Sequence, residues 1–208
     1  MFNSAMANCP DAMYHGTPHR YCSCGWTEAT AAEEAATVLL QHTTGLDISS
    51  EHGAQTPERF MRMLKELTTA EEFTFTTFPS EGIHDMIVVQ DIPFVSVCNH
   101  HVIPFVGKVH VAYVPNDMMA GLSKFARLAK FYAKRLQVQE RLTVQIADEI
   151  EHELAPLGVG VVIQAEHFCM TIRGVQTPGT LTTTAAMRGV FADHDKTAKS
   201  EFMSIIGL

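Results

Sequence analysis

Apolar side chains recur at helical spacing in several stretches of the chain. The alanine-rich run over residues 27–42, EATAAEEAATVLLQH after Thr27, predicts a helix with Glu28 in its first turn and Gly45 beyond as a stop. Thr56-Pro57-Glu58 combines an N-cap, a proline at the first helical position and an acid, and Phe60, Met63, Leu64 and Leu67 follow as an expected core face. A third helix opens near Gly121-Leu122-Ser123, with Leu122, Phe125, Ala126, Ala129, Tyr132 and Ala133 along one face. Gln139-Glu140-Arg141 starts a fourth, with Leu142, Ile146, Ile150 and Leu154 at spacing four and a stop before Pro156. Its other face holds Asp148, Glu149, Glu151 and Glu153, which read as solvated. Residues 195–206 read as a closing helix.

Strand patterns occupy the intervals. Residues 86–92 and 94–97 read as strand broken at Pro93, and residues 107–114 as a second strand ended by Pro115-Asn116-Asp117. Residues 159–170 form a long apolar strand expected to run on to Arg173; a loop over 174–179 leads to a strand over 180–190. This order predicts an α+β chain, an antiparallel sheet with two helices inserted between strand pairs and preceded by N-terminal helices. Residues 1–27 are polar, rich in turn residues and without periodicity, so they read as a flexible tail. Their Cys9, His15, His19, Cys22 and Cys24 are spaced somewhat like a small zinc knuckle, although C-x-C is not the usual zinc spacing. Residues 28–208 are then one domain.

Composition narrows the class. A formal charge of −8 argues against a general nucleic-acid binder. Five cysteines without a paired framework imply no disulfide scaffold. With no secretory n- and h-region and no run of membrane-spanning length, a soluble cytoplasmic protein is expected.

Chemistry concentrates at Cys98-Asn99-His100-His101 and at His167-Phe168-Cys169. Thiolate and imidazole suit a borderline metal such as zinc. Cys98 and His101 are three apart, so both reach one ion only if the chain turns or bulges there. His167, Cys169 and Arg173 would share one strand face, leaving Phe168, Met170 and Ile172 for the core. Cys98, His101 and Cys169 then make three ligands with a fourth position for water, as in catalytic zinc sites. Buried free cysteines and a polar His-His turn are the alternative. Against the acidic background, Lys124, Arg127, Lys130, Lys134 and Arg135 form a local basic cluster on the third helix, with no acid between Met118 and Leu136. Ser123, Lys124 and the amides of the helix N-terminus would bind an anion, with Arg127 one turn on. A solvated helix face is again the alternative.

The segments SVCNHHVIPFVGKVHVAYVP, GLSKFARL, RLQVQERLTVQIADEI, HFCMTIRGVQTPG and GVFADHDKTAKSEF, in this order and spacing, resemble the zinc-dependent GTP cyclohydrolase I family over residues 33–206. TPERFMRML and MIVVQDIPFVS are similar to it as well. The resemblance implies a tunnelling fold assembled as a homo-oligomer, commonly a decamer of two pentamers, with sites at subunit boundaries. It implies Cys98, His101 and Cys169 as zinc ligands and His100 and His167 as proton carriers. Gln139 and Glu140 would lie beside the guanine of GTP, and Ser123, Lys124, Arg127 and Arg173 would hold its triphosphate. The implied reaction hydrolyses GTP at C8, releases formate and recloses the rearranged ribose as 7,8-dihydroneopterin triphosphate, a precursor of folates, pterins and deazaguanines. Two departures stand out. Asn99 replaces the Glu usual in the family, and residues 180–188 match loosely. A catalytically silent zinc- and nucleotide-binding assembly, or a related enzyme acting on another purine or pterin, are the competing readings.

Overall fold

A computed structural model describes residues 28–192 and 197–208; the cysteines and histidines of residues 1–27 lie outside it, as do residues 195–196 of the expected closing helix. The chain divides into two compact units between Glu66 and Leu67. In the first, α1 spans Glu28–Thr44 and α2 begins at Thr56, running as Thr56–Thr68. Proline at the second position of α2 is buried, as a residue with no N–H to satisfy allows. The expected core face of α2 is only half covered: Phe60, Leu64 and Leu67 are half-buried and Met63 is exposed.

The second unit is built on a five-stranded sheet. Its members are β2 (Ile87–Cys98), β3 (Pro104–Val114), β5 (Leu136–Gln137), β6 (Gly158–His167) and β7 (Leu181–Gly189), in the order β5-β2-β3-β6-β7. All pairings are antiparallel except the short parallel one of β5 with β2. Two three-residue strands, β1 (Thr77–Pro79) and β4 (Met118–Ala120), pair separately. Between β3 and β6 the chain inserts α3 (Leu122–Ala133) and α4 (Gln139–Leu154). Phe125, Leu128, Ala129 and Ala133 of α3 and Leu142, Ile146, Ile150 and Leu154 of α4 are buried with Val109, Val111, Val161 and Ile163. The opposite face of β3 and β6 carries Ala112 and Val162, packed with Phe191 and with Phe202 of α6 (Thr197–Ile205). No helix among the described residues is long and apolar enough to cross a membrane.

Several expectations need correction. Pro93 does not break its strand: β2 is continuous, and its irregularity is a bulge between Val89 and Ile92, with Asp91 at φ 58°. Pro93 is accommodated because β5 reaches only Val97 and Cys98, so among the described residues its stretch of β2 has no neighbouring strand on that side. The strand carrying His167 ends there, and α5 (Phe168–Thr171) is a single helical turn with His167 at its N-cap position and no side-chain cap. Cys169 and Arg173 are therefore not on a strand face, and Ile172 is exposed. On α3, Leu122 is 63% exposed and Leu128 takes its place in the core. The acidic face of α4 is more than solvated surface, since Asp148 and Glu151 meet Arg188 at 2.9 and 3.9 Å and Glu149 accepts from the Tyr132 hydroxyl at 2.7 Å.

Candidate active site and metal centre

Two chain reversals build the site. The β2–β3 connection starts at Cys98 and is closed by Val102 N–H donating to Cys98 O and Cys98 N–H to Ile103 O, both 2.9 Å. Asn99 N–H donates to Gln137 O at 2.8 Å, which ties the turn to β5. This compact turn brings Cys98 and His101 to the same side, the reversal both would need to reach one ion. Val102 completes it at φ 54°, a left-handed conformation costly for a β-branched residue.

The second reversal follows β6. His167 lies across from Phe105 in the β3–β6 register, and the two rings stack 4.6 Å apart at 3°. The helical turn α5 then swings Cys169 towards the first reversal. The Thr171 hydroxyl secures this turn, 3.1 Å from Glu166 Oε1 and 3.2 Å from His167 O. Glu166 Oε1 also accepts from Gly179 N–H at 2.9 Å, so it joins the two ends of the loop that carries Arg173.

The ligand atoms of Cys98, His101 and Cys169 lie within 4.8 Å of one another. Zinc–sulfur bonds near 2.3 Å and zinc–nitrogen bonds near 2.0 Å put tetrahedral ligands about 3.5–4 Å apart, so a small contraction would seat the ion. Cys98 is buried and Cys169 half-buried. Burial, with the Cys98 sulfur beside it, pushes the Cys169 thiol pKa up, and the charge of Arg173 opposes the shift. Donor chemistry and spacing fit zinc.

Around this cluster, His100 Nδ1 is 3.9 Å from Cys98 Sγ and its ring 6.3 Å from that of His101. His167 Nε2 is 2.7 Å from Gln139 Oε1. Burial lowers the pKa of His167, opposed by the charge of Glu140 in the first turn of α4. Glu140 is exposed, as are Ser123, Arg127 and Arg173. Lys124 Nζ donates to Thr74 O at 2.8 Å, leaving its other N–H groups for an anion. The N-terminus of α3 has no side-chain cap, so its first amides are not occupied by one. Arg135 is committed elsewhere, 4.9 and 5.1 Å over the rings of Phe131 and Tyr132. No hydrogen bond or ion pair joins Ser123, Lys124, Arg127 or Arg173 to the cysteine–histidine cluster among the described residues.

The GTP cyclohydrolase I family model matches residues 32–207. This chain belongs to the GTP cyclohydrolase I family. GTP cyclohydrolase 1 of Aquifex aeolicus (strain VF5) is 49% identical over 169 residues, 81% of this chain and 91% of that protein. The enzyme of the same name from Hydrogenobaculum sp. (strain Y04AAS1) is 48% identical over 169 residues, 81% of this chain and 92% of that one. GTP cyclohydrolase 1 2 of Nostoc sp. (strain PCC 7120 / SAG 25.82 / UTEX 2576) is 44% identical over 185 residues, 86% of this chain and 84% of that one. Among solved structures, the archaeosine synthase QueF-Like in its apo form covers half of this chain at TM-score 0.43 and 18% identity, too distant to bear on fold or function.

Sequence reasoning passed over Gln137, Thr143 and Thr184. Gln137 is fully buried; its amide nitrogen donates to Tyr132 O and Gln145 Oε1, and its amide oxygen accepts from Arg141 Nε. Glutamine reads as surface in a sequence. No spacing signal marks it as the hub between β5 and the start of α4.

Proposed function

We propose that Cys98, His101 and Cys169 hold a zinc ion and that the surrounding residues carry out the cyclohydrolase reaction on GTP. The observation that carries this reading is the convergence of those three donors from two remote segments, beside His100 and His167. Zinc, when bound, supplies a Lewis acid that activates water near neutral pH. The chain's own residues do the rest. Glu140 accepts the two N–H groups on the guanine edge, a pattern adenine does not offer, with Gln139 next to it. Ser123, Lys124, Arg127 and Arg173 hold the triphosphate, so the ring is presented in one orientation. His100 and His167 deliver and remove protons while the imidazole ring opens at C8, because imidazole exchanges protons in the working pH range. Net, one water is consumed, C8 leaves as formate and the rearranged ribose closes on the freed amine, giving 7,8-dihydroneopterin triphosphate.

In this reading the sheet is that of a tunnelling fold, assembled from copies as a decamer of two pentamers with sites completed across subunit boundaries, in the cytoplasm. Asn99 is a tolerated replacement. Its backbone N–H is held by Gln137 O, and the role of its side chain is confined to the surroundings of the metal.

The deciding experiment incubates the zinc-loaded protein with GTP and measures formate together with the pterin chromophore. Equal amounts of both are expected, abolished by a chelator and by Cys169→Ser. GTP bound but unchanged at full zinc occupancy would sink the enzymatic reading in favour of a silent nucleotide-binding assembly.

A further inference from the structure

Gln139 opens α4 yet is only 1% exposed, an unusual burial for a first-turn glutamine. Its amide nitrogen lies 3.1 Å from Ile163 O, 2.9 Å from Thr182 O and 3.1 Å from Thr184 Oγ1. Backbone carbonyls only accept, so this end of the amide is the NH2 group. The hydroxyls agree. Thr143 donates to the Gln139 backbone carbonyl at 2.8 Å, so across the 2.7 Å contact Thr143 accepts and Thr184 donates. Thr184 keeps a lone pair for the Gln139 amide.

With the nitrogen fixed on β6 and β7, the amide oxygen is aimed at His167 Nε2, 2.7 Å away. An amide oxygen carries no proton, so Nε2 must. Stacking on the buried Phe105 holds the plane of the ring. His167 Nδ1 has no protein hydrogen-bond partner among the described residues.

We infer that Gln139 is a positioning residue that holds His167 as its Nε2–H tautomer, which makes Nδ1 the nitrogen through which His167 exchanges protons with the substrate. This rests on His167 being a proton carrier, and it adds which nitrogen works and what selects it. The selection does not depend on substrate, because each of the contacts lies within the protein.

The test is a nitrogen-15 NMR spectrum of the histidine-labelled, zinc-loaded full chain at about pH 8, where histidine is neutral. The His167 signals are assigned by their loss in His167→Asn. A protonated Nε2 and a bare Nδ1 are expected; an Nδ1–H tautomer overturns the proposal. Gln139→Met removes the acceptor at similar volume. It should mix the tautomers and lower kcat for formate release by roughly 10- to 100-fold, with zinc content unchanged. Gln139→Glu keeps an oxygen on Nε2 and should keep the tautomer, which leaves the inference testable where the methionine variant does not fold. If Gln139→Met lowers stability but leaves tautomer and kcat unchanged, Gln139 is a packing residue and the proposal falls. A wild-type protein with the Nε2–H tautomer that releases no formate overturns the proposed function and leaves the tautomer assignment supported.

Discussion

Glu140 and His110 show at the scale of single residues how surroundings set what a titratable group does. Glu140 sits exposed in the first turn of α4, where a ligand can reach it. Two charge-assisted hydrogen bonds to guanine make it the specificity residue of the proposed site. Glu140→Gln loses the charge and one acceptor, so about 2–4 kcal/mol of substrate interaction should disappear, a fall in kcat/KM of roughly 30- to 1,000-fold. The loss should be smaller with ITP, which lacks the 2-amino group; equal losses on both nucleotides would remove Glu140 from the guanine edge. His110 is the opposite case, 3% exposed on β3, with Nδ1 accepting from Asp91 N–H at 3.3 Å and Nε2 buried without a hydrogen-bond partner. Burial lowers its pKa; Asp91 opposes the shift and Lys108 adds to it. The folded protein thus resists protonating this ring, and the unfolded chain takes up the proton first as pH falls through about 6.5. The stability contribution is complete above that pH and is lost as pH drops towards the lowered folded value. In His110→Leu, the decrease in melting temperature between about pH 8 and about pH 5.5 should be smaller than in the wild type. An unchanged decrease would assign the acid sensitivity to other groups.

At the scale of elements, what a sequence reveals depends on how many residues share one periodicity. The four apolar positions of the sixteen-residue α4, Leu142, Ile146, Ile150 and Leu154, repeat at spacing four and are buried as expected. The Cys98–His101 turn was legible because two ligands three apart on a strand require a reversal. Two- and three-residue strands such as β1, β4 and β5 carry no period to detect. The run through Val159–Met170 stays apolar past the end of β6, so nothing in it announces that the chain leaves the sheet at His167. That exit depends on tertiary contacts, above all on Glu166. Its carboxylate holds both Thr171 and Gly179 and so sets the position of the intervening loop with Arg173. Glu166→Ala should loosen that loop at a cost of about 1.5–3 kcal/mol in hydrogen bonding. Steady-state kinetics should then show KM for GTP raised about tenfold or more, with zinc content unchanged. A KM within twofold of wild type would mean that the loop holds Arg173 without Glu166.

At the scale of the whole molecule, the arrangement of the sheet carries the argument. Among the described residues, β7 pairs only with β6, and β2 upstream of Val97 pairs only with β3. Each flank therefore offers a row of backbone donors and acceptors, a state that soluble proteins cover, blunt or pair. Bulging at Val89–Ile92 and Pro93 blunt the β2 flank, whereas β7 is a regular nine-residue strand with an exposed Leu181 at its start. In the proposed assembly, joining such flanks between copies would close the sheets into a ring and remove the open edges. The same closure would bring Ser123, Lys124 and Arg127, which make no hydrogen bond or ion pair with the cysteine–histidine cluster of their own chain among the described residues, to a neighbour's metal centre. The charge of Arg173, by contrast, already acts on Cys169 of its own chain. Native mass spectrometry of the full chain should show the ten copies of the proposed decamer of two pentamers; a monomer would leave the sheet edges open and overturn that assembly. Mixing two inactive variants provides the sharper reading. Arg127→Ala and Cys169→Ser chains, each inactive alone, should regain formate release when co-assembled, because some boundaries then pair an intact metal centre with an intact phosphate cluster. Failure of the mixture to recover activity, with co-assembly confirmed by mass, would place the whole site within one chain.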